Sequence, residues 1–282
     1  MTGKNLEPVT PYQTDFIEDA RKRVEAMLQT DIIPLPQCGG ERRAAPNNIL
    51  RSALFNARNH KHPRRYIKDE TIAVIGDGCS IGYRGEELRQ DDETVWLHLI
   101  FLAKNVEPGE RIFFTPTSFL REIGWDGGGK SFTRLATCIS RLNNASVRFE
   151  FKNAGYIVGT NLLAEFAIGN KEDYSRMSQW SVRIHNEIHR LFSQNSYTLI
   201  DYNQRKKLPS GIASKLHGYY SSHKAPYPIK ITTIKLLCGI EINHAGTFLR
   251  QLKIALESLV EAGFLSSWEI KNGIVSVKKA TT

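Results

Sequence analysis

The sequence predicts an α/β protein, of the α+β type, built from tandem winged-helix domains. Two stretches of the chain each have the pattern of a helix, a turn, a second helix and a β-hairpin wing. The chain also carries a formal net charge of +9. A winged helix places its second helix in the major groove of DNA, and a surplus of cations favours a polyanionic partner.

The first unit is centred on residues 116–151. Pro116 suits the first turn of a helix because its missing N–H would be unpaired there, and the glycines at 127–129 end that helix. A second helix begins at Ser131, and apolar residues recur along one of its sides at helical spacing. Its other side is cationic and rich in hydroxyls, as a helix that reads DNA requires. The predicted DNA contacts are Lys130, Ser131, Thr133, Arg134, Thr137 and Arg141.

A β-hairpin follows this second helix and forms the predicted wing. Residues 146–151 alternate polar and apolar side chains, the chain turns at 153–155, and a strand returns from Tyr156. Arg148 and Lys152 flank the tip of the hairpin. We therefore predict that both side chains contact the DNA backbone, where cations pair with phosphate.

The same design returns after Tyr197 without any repeat of the sequence itself. Residues 231–238 predict a short helix, and Gly263 ends a longer helix that starts near residue 244. A second hairpin is predicted at 264–277, with its turn at Asn272. The outward face of the longer helix supplies the second set of contacts. These are Asn243, His244, Thr247, Arg250, Gln251 and Lys253.

The predicted domains are an N-terminal arm, helix and linker (1–48), a first winged-helix domain (49–194) and a second (195–282). Residues 15–29 have amphipathic spacing and form either a strut or an oligomerisation helix. Prolines and glycines across 30–48 predict a linker, and residues 200–217 predict a helix interrupted near Pro209. The basic segment from Arg58 to Arg65 either lies along phosphates or is merely solvated.

One motif favours a different function. Residues 124–131 match G-x-x-x-x-G-K-[ST], the phosphate-binding loop of many nucleotide hydrolases. That loop must follow directly from a buried strand, so that its N–H groups converge on phosphate, but a helix is predicted here. An ATP-dependent DNA-binding enzyme is thus the less favoured alternative, and we expect neither catalysis nor a cofactor.

Metal chemistry and membrane insertion are not expected either. The four cysteines are far apart, and His185 with His189 has neither peptidase order, so we assign this pair to surface or capping roles and predict no metal. No apolar run approaches the roughly 20 residues of a spanning helix, and the polar N-terminus has no signal core. We expect a cytoplasmic protein without membrane partners.

The chain resembles the TrfA-type replication initiators of broad-host-range plasmids. The resemblance extends over about residues 45–282 and is carried, besides both winged-helix stretches, by NILRSALFNARN, RRYIKDETIAVIGDG, RGEELRQDDETVWLHL and FFTPTSFLREIGW. It implies binding of repeated sites (iterons) in double-stranded plasmid origin DNA and opening of the adjacent AT-rich DNA. It also implies contact with the single strands that this opening exposes. It also implies recruitment of the host initiator, replicative helicase and sliding clamp, with monomers binding DNA and homodimers restraining copy number.

A clamp-docking peptide that ends in Leu-Phe is also implied by the resemblance. Its candidate residues are Leu54 and Phe55, although Arg51 stands where a glutamine is expected. The alternative is that the two apolar residues tether this segment to the core. A winged-helix transcriptional regulator or autorepressor without initiator activity is the main alternative to the initiator function as a whole.

Overall fold

The computed structural model describes residues 33–72, 74, 79–151, 156–169, 178–193, 196–240 and 245–280. The predicted arm and the amphipathic helix at 15–29 lie outside these residues. None of the helices in the described ranges is long and apolar enough to cross a bilayer.

The first winged-helix unit combines short helices with antiparallel sheet. Its helices are α1 (Asn47–Leu50), α2 (Gln90–Ala103), α3 (Pro116–Ile123), α4 (Gly129–Asn144) and α5 (Asn186–His189). Its strands are β1 (Arg42–Pro46), β2 (Phe55–Asn56), β3 (Tyr66–Ile72), β4 (Cys79–Glu86), β5 (Leu88–Arg89), β6 (Ile112–Phe114), β7 (Ser146–Phe151), β8 (Tyr156–Asn161), β9 (Leu163–Ala167) and β10 (Trp180–Ile184).

The wing of the first unit is part of a larger sheet. Strands β3 and β4 pair antiparallel, and β4 pairs in turn with β7, giving a four-stranded order of β3-β4-β7-β8. The inward side chains of these strands, such as Ile81 and Phe149, are fully buried against the first core. The wing is therefore paired along the whole of β7 with the hairpin formed by β3 and β4.

The second unit repeats the arrangement on a smaller scale. Its elements are β11 (Tyr197–Asp201), α6 (Tyr202–Lys207), α7 (Ile212–Ser221), β12 (Ile229–Lys230), α8 (Ile231–Leu237), α9 (Ala245–Glu261), β13 (Leu265–Lys271) and β14 (Ile274–Lys279). The predicted hairpin is confirmed: Asn272 and Gly273 both have positive φ, as a two-residue type I′ turn requires. Strand β12 adds a third strand to this wing.

Two predictions about the region joining the units are wrong. Residues 42–46, assigned to a linker, form β1, which pairs antiparallel with β11. Residues 197–201 are therefore a strand, whereas a helix was predicted to begin at Ile200. A strand at this position is stabilised by a partner more than 150 residues away, which no local pattern reveals.

The two hydrophobic cores divide along the chain between Tyr202 and Leu208. Leu35, Ala44 and Ala45 pack into the first core, so residues of the predicted linker belong to the folded body. The second core is built around Phe248, Leu252 and their neighbours on α7 and α8, with Ala57 of the first unit joining it. The two units are thus joined by side-chain packing as well as by the chain that links them.

Candidate nucleic-acid interface

The exposed face of α4 carries four of the eight contacts predicted for the first unit. Lys130, Thr133, Arg134 and Thr137 are all exposed on this helix. The hydroxyls of Thr133 and Thr137 donate to the carbonyls of Gly129 and Thr133, at 3.1 and 2.7 Å. Their oxygens retain lone pairs that point away from the helix, so each can accept a hydrogen bond from a base edge.

Arg134 is the most defined side chain on this face. Its guanidinium lies 3.9 Å from the centre of the Trp125 ring, and its Nε lies 3.6 Å from an oxygen of Asp91. Burial raises the pKa of the Asp91 carboxyl, but the charge of Arg64, aided by Arg134 and Arg141, outweighs it and lowers that pKa. Asp91 therefore stays charged and holds Arg134, whose side chain remains 47% exposed.

The N-terminus of α4 is occupied by a carboxylate of the chain itself. Asp126 accepts hydrogen bonds from the Ser131 hydroxyl and from the N–H of Gly128, and the Ser131 bond contributes most to lowering the pKa of Asp126. Ser131 is thus held by the turn. Residues 124–131 follow helix α3 through Gly124, which has φ of +77°, so they lack the upstream strand of a phosphate-binding loop.

Arg141 does not lie on the exposed face, and this prediction is wrong. Its side chain is only 9% exposed, and its Nε donates to Asp92 at 2.9 Å. Asp92 also accepts from Arg64 at 2.7 Å and from the N–H of Arg89 at 2.8 Å. The first turn of α2 attracts Arg141 into this buried network, which periodicity along α4 alone does not show.

Arg148 of the wing is placed as predicted, on the surface. Its side chain is 49% exposed and pairs at 3.0 Å with Asp69 of β3, which lies on the far side of β4. An exposed pair of this kind is weak, so exchanging the partner for phosphate costs little. Lys152 lies outside the described residues.

The exposed face of α9 supplies the contacts of the second unit. Arg250, Gln251 and Lys253 are exposed, and Thr247 is half-buried. Asn243 and His244 lie outside the described residues. Sequence reasoning missed Ile254, which is 61% exposed and follows Arg250 and Gln251 at helical spacing. An apolar side chain on such a face suits the methyl group of thymine, and its spacing was the signal that could have found it.

A cleft of about 560 Å³ separates the two cationic helices. Arg134 of α4 lines it on one side, and Gln251 and Ile254 of α9 line it on the other. His60 and His62 of the basic segment lie between them. Both predicted DNA-reading faces therefore border the same opening of the molecule.

Comparison with known proteins agrees with this geometry. A family model described as TrfA protein matches residues 7–279. The chain belongs to the TrfA family. It is 31% identical over 270 residues to the plasmid replication initiator protein TrfA of Escherichia coli, covering 95% of this chain and 69% of that protein.

Two solved structures share the fold of this TrfA-family chain. Domains 2 and 3 of RctB superpose with a TM-score of 0.60 at 13% identity, covering 84% of this chain and 99% of theirs. A second structure of these RctB domains gives a TM-score of 0.55 at 14% identity, covering 83% and 97%. The predicted tandem winged-helix fold is confirmed.

The clamp-docking peptide implied for this TrfA-family chain is not accessible. Leu54 is 2% exposed and Phe55 is fully buried, with its ring 5.7 Å from that of Trp96. Phe55 also lies in β2, which pairs with β5. The tethering alternative describes this segment correctly, because both side chains belong to the first core.

The histidine pair of the chain caps and packs. His185 accepts a hydrogen bond from the N–H of Glu187 at the start of α5, and the buried His189 forms a hydrogen bond with the carbonyl of Ile33.

Among the described residues, side-chain atoms of the kinds that bind metals lie close together at Asp91, Asp92 and Cys138. Arg64 and Arg141 already neutralise those carboxylates, and burial raises the pKa of the Cys138 thiol, so the cluster is an ion-pair network.

Proposed function

We propose that this protein is a plasmid replication initiator that binds iterons, directly repeated sites in the duplex DNA of its plasmid origin. The observation that carries the proposal is the pair of exposed cationic faces, on α4 and α9, that border one cleft. Membership of the TrfA family, and the name of the E. coli relative, support the initiator assignment.

Each unit supplies side chains of the types that distinguish base pairs. Arg134 can donate two hydrogen bonds to the O6 and N7 atoms of guanine, and Gln251 can form two with the N6 and N7 atoms of adenine. Lys130, Arg148 and Lys253 suit phosphate, so they set the register of the protein without reading sequence. Two units with such faces predict a site longer than either unit could read alone.

The test is binding to the plasmid's own iterons and to scrambled duplexes of equal length, across a salt titration. We expect much tighter binding to iterons and a slope of log K against log salt of about −0.9 for each phosphate contact. Equal affinity for both duplexes at every salt concentration would contradict the proposal.

The same proposal includes the later steps of initiation. After iteron binding, the protein opens the adjacent AT-rich DNA and recruits the host initiator, helicase and sliding clamp, while homodimers restrain copy number. Permanganate footprinting of a supercoiled origin plasmid tests the opening step, because unpaired thymines react. Origin binding without any new reactive thymines, with host initiator present, would remove opening from the proposal.

Two alternatives are separated by simple experiments. A transcriptional regulator would bind the same DNA but would not maintain a plasmid whose only origin is the iteron array. An ATP-dependent enzyme would lose hydrolysis in Lys130→Ala. We propose a non-enzymatic protein, and we expect background ATP turnover that this substitution leaves unchanged.

A further inference from the structure

The basic segment contains a loop, residues 59–63, that is held in one conformation from below. The side chain of Arg89 donates to the carbonyls of Asn59 and His62 at 2.9 and 3.0 Å, and to that of Pro63 at 3.1 Å. Arg89 is only 4% exposed. We call residues 59–63 the cleft loop. A merely solvated basic run would not need a buried guanidinium that binds three of its carbonyls.

The charge of this buried arginine is already balanced. Glu87 is fully buried and lies 3.4 Å from Arg89 and 3.5 Å from Arg58. Burial raises the pKa of Glu87, but hydrogen bonds from the N–H of Arg65 and from Arg89 outweigh it and lower that pKa. Glu87 is therefore an anion that neutralises the charge of Arg89 beneath the loop. The donors at the loop's surface remain available to a ligand.

Two of those donors face the cleft between the two DNA-reading helices. His60 and His62 line it, and Lys61, between them in sequence, is exposed beside it. Among the described residues that line the cleft, Asp91 is the one acid, and Arg64 binds it at 2.8 Å. The cleft therefore presents imidazole groups between Arg134 and Gln251, with the ammonium group of Lys61 at the surface beside them.

We propose that the cleft loop binds the phosphate backbone of the DNA that lies between the segments read by α4 and α9. The inference rests on the proposed function, because it requires both helices to engage one duplex. Two major-groove segments on one face of DNA are separated by a minor groove and its bordering phosphates. The cleft loop occupies the corresponding position in the protein, and its N–H donors match phosphate oxygens.

The experiment combines variants of the loop with neutral DNA linkages. Two proteins are titrated with iteron duplexes: wild type and the triple variant His60→Ala, Lys61→Ala, His62→Ala. The modified duplexes carry methylphosphonates between the segments read by α4 and α9. We expect wild type to bind about tenfold more weakly to the neutral linkages. The triple variant should bind unmodified DNA about tenfold more weakly than wild type does. It should bind the modified DNA with the same affinity as it binds unmodified DNA. Its salt slope should be shallower by about 0.9 for each phosphate that the loop no longer neutralises.

Arg111→Ala is the matched control, because Arg111 is exposed but lies outside the cleft and both DNA-reading helices. Lys61→Glu is a second variant; it should lose more affinity than the triple variant on unmodified DNA, because its carboxylate repels phosphate, and this loss should become smaller on the neutral linkages. Wild-type affinity and salt slope in the triple variant, with iteron specificity intact, would overturn only this inference. Absence of iteron specificity in wild type would instead overturn the proposed function.

Discussion

The cationic side chains of this protein have two different roles: some are exposed to a binding partner, and others are buried in ion pairs within the fold. Arg134 is presented: it is stacked on Trp125 and paired with Asp91, yet nearly half exposed. Arg141 occurs two turns later on the same helix and is buried against Asp92. Both are arginines on the predicted cationic side of α4, so the residue type does not decide between the two roles. The decision depends on how closely each side chain packs against the acids of α2.

Replacing Arg134 tests the first role. Arg134→Ala should weaken iteron binding by about 1–3 kcal/mol if the guanidinium reads a guanine, and the loss should fall on one base pair. Competition against iterons mutated at single positions measures this. Arg111→Ala, similarly exposed, serves as the control and should bind as wild type does. A loss that is equal for every DNA sequence would assign Arg134 to phosphate.

His217 predicts a dependence of stability on pH. Its ring is fully buried, neither nitrogen has a hydrogen-bond partner among the described residues, and burial, with Arg205 and Lys279, lowers its pKa to about 3. In the unfolded chain a histidine has a pKa of about 6.5, so below that pH the unfolded state binds a proton that the folded state does not. Stability should therefore fall as pH decreases from about 6.5 towards 3.

The variant His217→Leu removes this contribution. Between pH 7.5 and pH 5, wild type should lose roughly 2 kcal/mol more of its unfolding free energy than the variant does, at about 1.4 kcal/mol per pH unit below 6.5. Urea unfolding at several pH values measures the difference. Identical pH profiles for the two proteins would show that His217 is not held neutral in the folded state.

At the scale of elements, the turn between α3 and α4 is decided by backbone conformation. Gly124 ends α3 in the left-handed region, with φ of +77°. Gly127 needs no such freedom, since its φ is not positive and an added methyl group would meet no atom within 4 Å. Two glycines within residues 124–131 therefore have different roles: the backbone conformation requires Gly124 but does not require Gly127.

Two alanine substitutions separate these glycines. Gly124→Ala should destabilise the protein by about 1–2 kcal/mol, because the left-handed conformation is strained for a residue with a side chain. Gly127→Ala should be neutral or stabilising by up to about 1 kcal/mol, because it restricts the unfolded chain. Urea midpoints measure both, and equal losses would contradict this description of the turn.

At the scale of the whole molecule, one buried ion pair joins the two units. Arg205 of α6 donates to Glu93 at 3.0 Å and to Gln90 at 3.1 Å, both on α2. The side chains of Arg205 and Glu93 are 3% and 2% exposed. Together with the pairing of β1 and β11, this contact joins the unit that carries α9 to the unit that carries α4.

Breaking this pair should therefore cost more than breaking a surface pair. Glu93→Ala should destabilise the protein by about 3–5 kcal/mol, because it leaves the buried guanidinium of Arg205 without its paired carboxylate. Glu187→Ala, in the half-exposed pair with Arg190, should cost about 1 kcal/mol or less. Glu93→Leu combined with Arg205→Leu should recover much of the loss, and failure of the double variant to do so would contradict an ion-pair origin.

Local pattern was sufficient for much of this fold. The helices that begin near residues 116, 131 and 244 and both wings were predicted because their periodicity, prolines and glycines act within a few residues. β1 and β11 were missed because each is stabilised by the other across the chain. Among the site residues, Lys130, Thr133 and Arg250 are exposed as predicted, whereas Arg141, Leu54 and Phe55 are buried by partners distant in sequence.

The sequence by itself determined the charge, the two units and the cationic character of their second helices, since these depend on composition and on spacing along one helix. Only the tertiary structure decided which cations remain free. It placed the acids of α2 against Arg64, Arg141 and Arg205, and it placed the cleft loop between α4 and α9. The physical reason is that availability for DNA depends on the other charges within a few ångströms, and folding brings those charges from elsewhere in the chain.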